Sequence, residues 1–283
     1  SERTTAEDTK RIAKQMMEEG VDLLVFVGGD GTARDIVDAI DQKQLTLGIP
    51  SGVKMYSAVF AVNPVAAARI VEAFVEGRTM ETLAEVLDID EEAYRRNELK
   101  VRLYGYLKIP VVTGLVQASK EPSAGLEEEE ENKKAIARRI VEEMEPDTLY
   151  ILGAGTTVKA IADELGVEKT LLGIDAVYNG KVVGKDLDEK GILELLSKYP
   201  KAKIIVTPIG GQGFIFGRGN QQISPEVIKK VGRKNIIVIA TRKKVDELDV
   251  LRVDTGDPKV DDMLRGYIRV VIDYHEDLMM KIV

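Results

Sequence analysis

The sequence predicts a two-domain α/β protein, with a Rossmann-like parallel sheet in residues 1–77 and a second, mixed α/β domain in residues 78–283. Three observations predict it. Nearly continuous apolar runs, the mark of strands buried on both faces, alternate with stretches of helical spacing in the first third of the chain. Two of the chain's apolar runs end in a glycine turn that opens a helix, at Gly28–Thr32 and at Gly153–Thr157. From about Arg78 the pattern changes to the period of paired strands.

Taken in order, Thr5-Ala6-Glu7-Asp8 opens a helix that runs to about Glu19, where Gly20 stops it. Val21–Val27 is a buried strand, and Ala33, Ile36, Val37 and Ile40 place a helix over Thr32–Ile40. Leu45–Ile49 is a second strand, ending in Pro50-Ser51-Gly52, and Asn63-Pro64 starts a helix through Phe74 that stops at Gly77. This βαβα order favours a parallel sheet with crossover helices. Thr82–Ile89 and Leu99–Val112 then read as two strands, with Asn97-Glu98 as a polar turn between them. Ser119–Asn132 is a loop that becomes acidic, with consecutive glutamates from Glu127 to Glu131, read as a solvated face without chemistry; the helix continues through Met144 to Pro146. Thr148–Leu152 is a strand, followed by a helix that ends near Gly166. Leu171–Val177 and Val182-Val183 are strands joined by the turn Tyr178–Lys181, Asp188–Tyr199 is a helix, and Ala202–Val206 and Asn235–Ala240 are strands.

The chemistry concentrates in the glycine turns. In Gly28-Gly29-Asp30-Gly31-Thr32 the glycines let the backbone approach a ligand, and the first amides of the following helix have no intrahelical acceptor. Such a place binds phosphate. Asp30 stands among those amides, where a carboxylate carries a metal ion or takes a proton from an attacking hydroxyl. The same residues also suit a plain turn with an Asp cap. Gly155-Thr156-Thr157 repeats the arrangement with two hydroxyl donors, helix capping being its plain alternative. Pro208–Asn220 holds five glycines and Arg218, a segment suited to lie close to phosphates as the wall or lid of a site. Gln212 and Asn220 are candidates to read a base edge there. Asp254-Thr255-Gly256-Asp257 offers two carboxylates for Mg²⁺ or a ribose, or a structural turn, and His275 reads as a surface residue.

Composition narrows the classes. The chain has no cysteine and one histidine, which excludes disulfides, thiolate metal sites and multi-histidine sites, so a metal must be held by oxygen; Mg²⁺ fits. The formal charge of −8 opposes nonspecific attraction to nucleic acid or to an anionic membrane, so neither is an expected partner. No run approaches a transmembrane length and no secretory leader is visible, which makes the cytoplasm the expected location.

Gly-Gly-Asp-Gly-Thr resembles the signature of the superfamily of NAD kinases, diacylglycerol and sphingosine kinases, and phosphofructokinases. The wider Gly28–Asp35 pattern resembles one branch, the predicted ATP- or polyphosphate-dependent NAD kinases that include the acetoin-catabolism X proteins. Gly48–Ser57, Gly210–Asn220 and Val253–Asp257 carry the resemblance across most of the chain. It implies an NAD kinase-like fold with the active site in the cleft between domains. The implied reaction is phosphoryl transfer from ATP or polyphosphate to the 2′-OH of the adenosine ribose of NAD, with Mg²⁺ bound mainly through nucleotide phosphates.

The resemblance also implies a set of site residues. Asp30 is the catalytic residue; Gly28, Gly29, Gly31 and Thr32 form the phosphate nest, with Arg34, Ser51, Gly52 and Lys54 beside it. Asn97 and Glu98 hold the adenosine, Gly155, Thr156 and Thr157 contact the dinucleotide, and Gly211, Gly213 and Arg218 form the later loop. A homo-oligomer is expected, as in related kinases. Those kinases carry an earlier strand and an Asn-Pro-containing loop before this point, so the expectation is an incompletely represented protein whose sheet lacks its first strand. A kinase of another small hydroxyl compound or a lipid, and a noncatalytic nucleotide sensor, are the alternatives.

Overall fold

The computed structural model describes residues 5–51, 55–89, 101–112, 123–210, 212–217 and 219–283, and divides into two compact units, Ser1–Glu127 and Glu128–Val283.

The first unit begins with α1 (Ala6–Glu18), closed at its start by a capping box between Thr5 and Asp8. Strand β1 (Leu24–Gly28), helix α2 (Asp30–Ile40) and strand β2 (Thr46–Pro50) form the expected βαβ unit. The two strands pair in parallel from Leu24 opposite Thr46 to Gly28 opposite Pro50. Helix α2 buries Ala33, Ile36 and Ile40, the stripe its spacing predicts. Helix α3 (Pro64–Val75) starts where the Asn63 side chain accepts the Ala66 N–H at 2.8 Å, with proline in the first turn.

Strands β3 (Met80–Ile89) and β4 (Val101–Val111) form an antiparallel hairpin. Ala84, Val86, Leu107 and Ile109 of that hairpin join Leu47, Phe60 and Ile70 in one core. This shared core joins the hairpin to the preceding elements, and the division between the two compact units falls after Glu127.

The second unit is built on a seven-stranded sheet of order β13-β12-β10-β8-β5-β6-β7. Its strands are β5 (Leu149–Leu152), β6 (Asp175–Tyr178), β7 (Lys181–Gly184), β8 (Ala202–Val206), β10 (Ile236–Ile239), β12 (Gly266–Val271) and β13 (Asp277–Ile282). β5, β8, β10 and β12 run parallel; β6, β7 and β13 extend the two sides by antiparallel pairing. The helices are α4 (Ser123–Glu142), α5 (Thr156–Glu164), α6 (Glu189–Lys198), α7 (Pro225–Val231), α8 (Arg242–Asp246) and α9 (Pro258–Leu264).

Period-two alternation sorts the sheet's side chains onto two cores. Tyr150, Leu152, Ile205 and Ile239 meet α4 and α5 on one face, while Leu149, Ile151, Ile204, Val206 and Val238 meet α6, α7 and α9 on the other. Burying each such side chain stabilises by about 1.5–3 kcal/mol.

Three expected elements differ. Leu171–Val177 becomes strand only at Asp175, because residues 171–174 are held in a turn by polar contacts described below. Within the expected glycine-rich loop, Phe214–Phe216 forms β9, paired with β11 (Arg252–Val253). The acidic stretch lies inside α4 rather than in a loop, where Glu130 and Glu131 pair with Lys133 and Lys134 at 2.8 Å on the solvent side. No described helix is long and apolar enough to cross a membrane.

Since the hairpin shares the first unit's core, Leu107→Ala is expected to cost about 2–5 kcal/mol of stability. Urea unfolding followed by amide exchange should place that loss in residues 5–112 and leave the second unit's protection unchanged.

Candidate functional site

Among the helices whose first turn is described, two begin without a side-chain cap, and both follow a strand–glycine turn. Of the others, α3, α6, α7, α8 and α9 start under a side-chain acceptor from Asn63, Asp188, Ser224, Thr241 and Asp257, and α1 has its capping box. Helices α2 and α5 have neither. Their first amides thus have no side-chain cap, and the dipole of each helix favours an anion there.

In the first unit, Gly28 ends β1 and Gly29 is the extended residue before α2. A Cβ on Gly28 would lie 2.3 Å from the Thr32 hydroxyl, so only glycine fits against that helix turn. Gly31 is exposed and Thr32 half-buried. Asp30, the first residue of α2, is buried at 9% exposure. Its carboxylate accepts the Ser57 N–H at 2.8 Å and the Tyr56 N–H at 3.0 Å. The segment carrying those amides is itself tied to β3: the Leu87 N–H donates to the Ser57 hydroxyl at 2.9 Å, and the Ala58 N–H to the Glu85 carbonyl at 2.8 Å. Ser51 closes the turn by donating its N–H to the Gly28 carbonyl at 3.0 Å. Asp30 is therefore fixed in orientation, with acceptor capacity to spare.

Arg34 stands beside the turn, where a Cβ on Gly31 would lie 3.6 Å from its guanidinium, and also reaches the hairpin of the same unit. Its guanidinium pairs with Asp88, which also accepts from Arg102 at 2.7 and 2.8 Å. This ion cluster joins α2 to the β3–β4 hairpin, and nothing in the sequence pattern had paired those three residues. Gly52, Lys54, Asn97, Glu98, Gly211 and Arg218 lie outside the described residues.

In the second unit the site elements gather at the carboxyl ends of β5 and β8. After β5 the chain passes to α5 on one face; after β8 it reaches α7 on the other. That reversal between neighbouring parallel strands is a topological switch point, the place where open α/β sheets bind ligands. Gly155 lies in the turn after β5 with φ +114°, a conformation reserved for glycine, and a Cβ there would meet the Thr207 methyl at 2.8 Å. Thr156 is half-buried and Thr157 buried at the start of α5.

Asn220 is bonded into this turn instead of reading a base. It is fully buried; its side-chain oxygen accepts the Ala154 N–H at 2.8 Å and its amide donates to the Ile215 carbonyl at 3.0 Å. The glycine-rich segment is thereby bonded to the turn after β5. Gly213 serves close packing, since a Cβ there would lie 2.6 Å from the Val250 carbonyl. In the Asp254–Asp257 turn Asp257 is structural: it caps α9 and pairs with Lys229 at 2.7 Å. His275 is exposed. Among the described residues no three acidic or histidine side chains gather to hold a metal.

Two family models match the chain, the ATP-NAD kinase N-terminal domain over residues 1–79 and the ATP-NAD kinase C-terminal domain over residues 145–282. The chain belongs to the NAD kinase superfamily. No curated protein and no solved structure matches it. It is an NAD kinase-like phosphotransferase, and each matched stretch carries one of the two uncapped glycine turns.

This NAD kinase-like protein also buries a cation behind its second turn. The Lys169 ammonium donates to the Thr170 and Gly173 carbonyls at 2.8 and 3.0 Å, 3.8 Å from the Asp175 carboxylate. Asp175 in turn accepts from the Thr170 N–H and hydroxyl at 2.6 and 2.9 Å and the Asp186 N–H at 2.7 Å. Within that loop the Leu171 carbonyl accepts the Gly155 N–H at 3.0 Å. The network therefore sets one amide of the turn, and only the three-dimensional arrangement reveals it.

Burial pushes the Lys169 ammonium down to about 8, against the opposing attraction of Asp175. The unfolded chain consequently binds the extra proton between pH 8 and the ordinary lysine value of 10.5, so this group's contribution to stability rises with pH across that window. Lys169→Met is expected to remove the rise, whose slope is at most about 1.4 kcal/mol per pH unit; urea midpoints of both proteins at several pH values above 8 measure it. Gly28→Ala, which forces a Cβ onto Thr32, is expected to destabilise the first unit by about 1–3 kcal/mol in the same assay.

Proposed function

We propose that this protein transfers a phosphoryl group from ATP or polyphosphate to the 2′-OH of the adenosine ribose of NAD. The observation that carries the reading is Asp30. A buried carboxylate, fixed by two backbone N–H bonds, stands at the start of a helix whose amides have no side-chain cap.

In this reading Gly28, Gly29, Gly31 and Thr32 cradle the phosphates of the donor. The 2′-oxygen forms its bond to the terminal phosphorus as the bond from that phosphorus to the bridging oxygen breaks. The hydroxyl proton passes to the Asp30 carboxylate, and ADP or the shortened polyphosphate leaves. The Gly155-Thr156-Thr157 turn supplies hydroxyls and amides to the dinucleotide. Asn97 and Glu98 hold the adenosine, and Ser51, Gly52 and Lys54 flank the nest. Gly211, Gly213 and Arg218 complete the later loop, with Arg218 against phosphate charge. Arg34, shared with Asp88, supplies positive charge beside the nest.

Mg²⁺ would be carried mainly by the nucleotide phosphates, and the chemistry it would supply there is neutralisation of their charge. The described residues build no cage for it, and Asp30 is the carboxylate present at the nest. A cytoplasmic homo-oligomer remains the proposed form.

Asp30→Asn is expected to lower kcat for NADP formation by at least about 100-fold, as befits loss of a general base. NAD binding, followed by calorimetry, should survive with the fold. Running ATP and polyphosphate as separate donors identifies the one used. Full turnover in the variant would overturn the assignment; NAD binding without turnover in the parent protein would favour the sensor.

A further inference from the structure

Helices cover the α4 face of the second unit's sheet unevenly. At the amino ends of β5, β8, β10 and β12, the end opposite the glycine turns, that face is left open as a groove of about 340 Å³. Lys203, Arg233, Lys234, Ile237, Tyr267 and Arg269 line it. Four are cations, in a chain whose formal charge is −8.

Their charges are incompletely answered. Among the described residues Arg233 is held by carbonyls, donating to Leu264 at 3.3 Å and to Tyr267 at 2.9 Å, with no carboxylate paired to its guanidinium. Lys234 is exposed and, among the described residues, has no ion-pair partner within reach. Arg269 reaches Asp277 only at 3.5 Å, and Asp277 already pairs with Arg139 at 2.9 Å. Lys203 pairs with Glu145, whose carboxyl is held down to about 2 by Lys201 and Lys203 together. The carboxylate on the groove wall, Glu143, is paired with Arg139 at 2.9 Å.

The floor is apolar at the half-buried Ile237, and the Tyr267 ring stands 65% exposed on the rim. An immobilised guanidinium, a free ammonium and a second arginine around one concavity match the closely spaced oxygens of a phosphoanhydride chain. The exposed ring and Ile237 provide a surface on which a base can rest.

We propose that this groove binds a short oligophosphate, either free or as the tail of a nucleotide, at a site separate from the two glycine turns. The inference does not depend on the phosphoryl-transfer reading. Since the chain contains no tryptophan, Tyr267→Trp installs a single reporter at the rim. Inorganic triphosphate titrated into the full chain at low salt is expected to change its fluorescence saturably. Lys234→Glu with Arg269→Glu, both exposed, is expected to weaken that binding at least tenfold while the circular dichroism is unchanged. Tighter binding of ATP than of triphosphate would assign the nucleotide as the source; equal affinity would assign the free chain. No saturable change with either anion, or an affinity unaltered by the charge reversal, would overturn the proposal.

Discussion

The carboxylate of Asp30 accepts two backbone N–H bonds from Tyr56 and Ser57, and much of the first unit is arranged around that bond pair. Through it the start of α2 is joined to the segment after β2, and through Ser57 and Ala58 that segment is joined to β3. A buried charge is costly unless it is well satisfied. Here satisfaction comes from main-chain donors, which hold the side chain in one orientation. The neighbouring helix amides are meanwhile left uncapped. Anchoring of the acid and availability of the amides are thus two results of one local design.

The second unit reaches a similar end by different means. Its turn after β5 contains no acid, and its amides are distributed among distant partners: Ala154 to Asn220, Gly155 to Leu171. Each partner lies on a segment ordered by its own polar contacts, Asn220 to Ile215 on one side and Lys169 with Asp175 on the other. What remains at the head of α5 are donors without a side-chain acceptor. The buried Lys169–Asp175 pair is a weak source of stability, because desolvation offsets its attraction. Its contribution is to hold the turn in a single arrangement.

Much of this was legible in the sequence because local rules and tertiary structure agree there. Strand β1, the glycine turn and α2 were readable from an apolar run, the glycines and the spacing of Ala33, Ile36 and Ile40. The same holds for β5 and α5. Legibility fails where a distant partner decides. Residues 171–174 look like strand by composition, yet a carboxylate and an ammonium bend them into a turn. Phe214–Phe216 is hidden among glycines, and its partner β11 lies far along the chain. Asn220 looked like a free amide until its burial and both of its hydrogen bonds were known. The Asp88 ion cluster is not legible there, because ion pairing leaves no period in a sequence.

The glycine-rich segment illustrates the gap between composition and behaviour. At Gly217 the backbone passes so near the Asp254 carbonyl that an added Cβ would fall 1.8 Å from its oxygen. The Arg252 N–H is bonded to the Gly213 carbonyl and the Asp254 N–H to that of Phe216. Here the missing side chains allow two lengths of main chain to interlock. A stretch that a protease or a linker designer would take for slack is instead a seam, and parting it means unzipping the β9–β11 pair along with it.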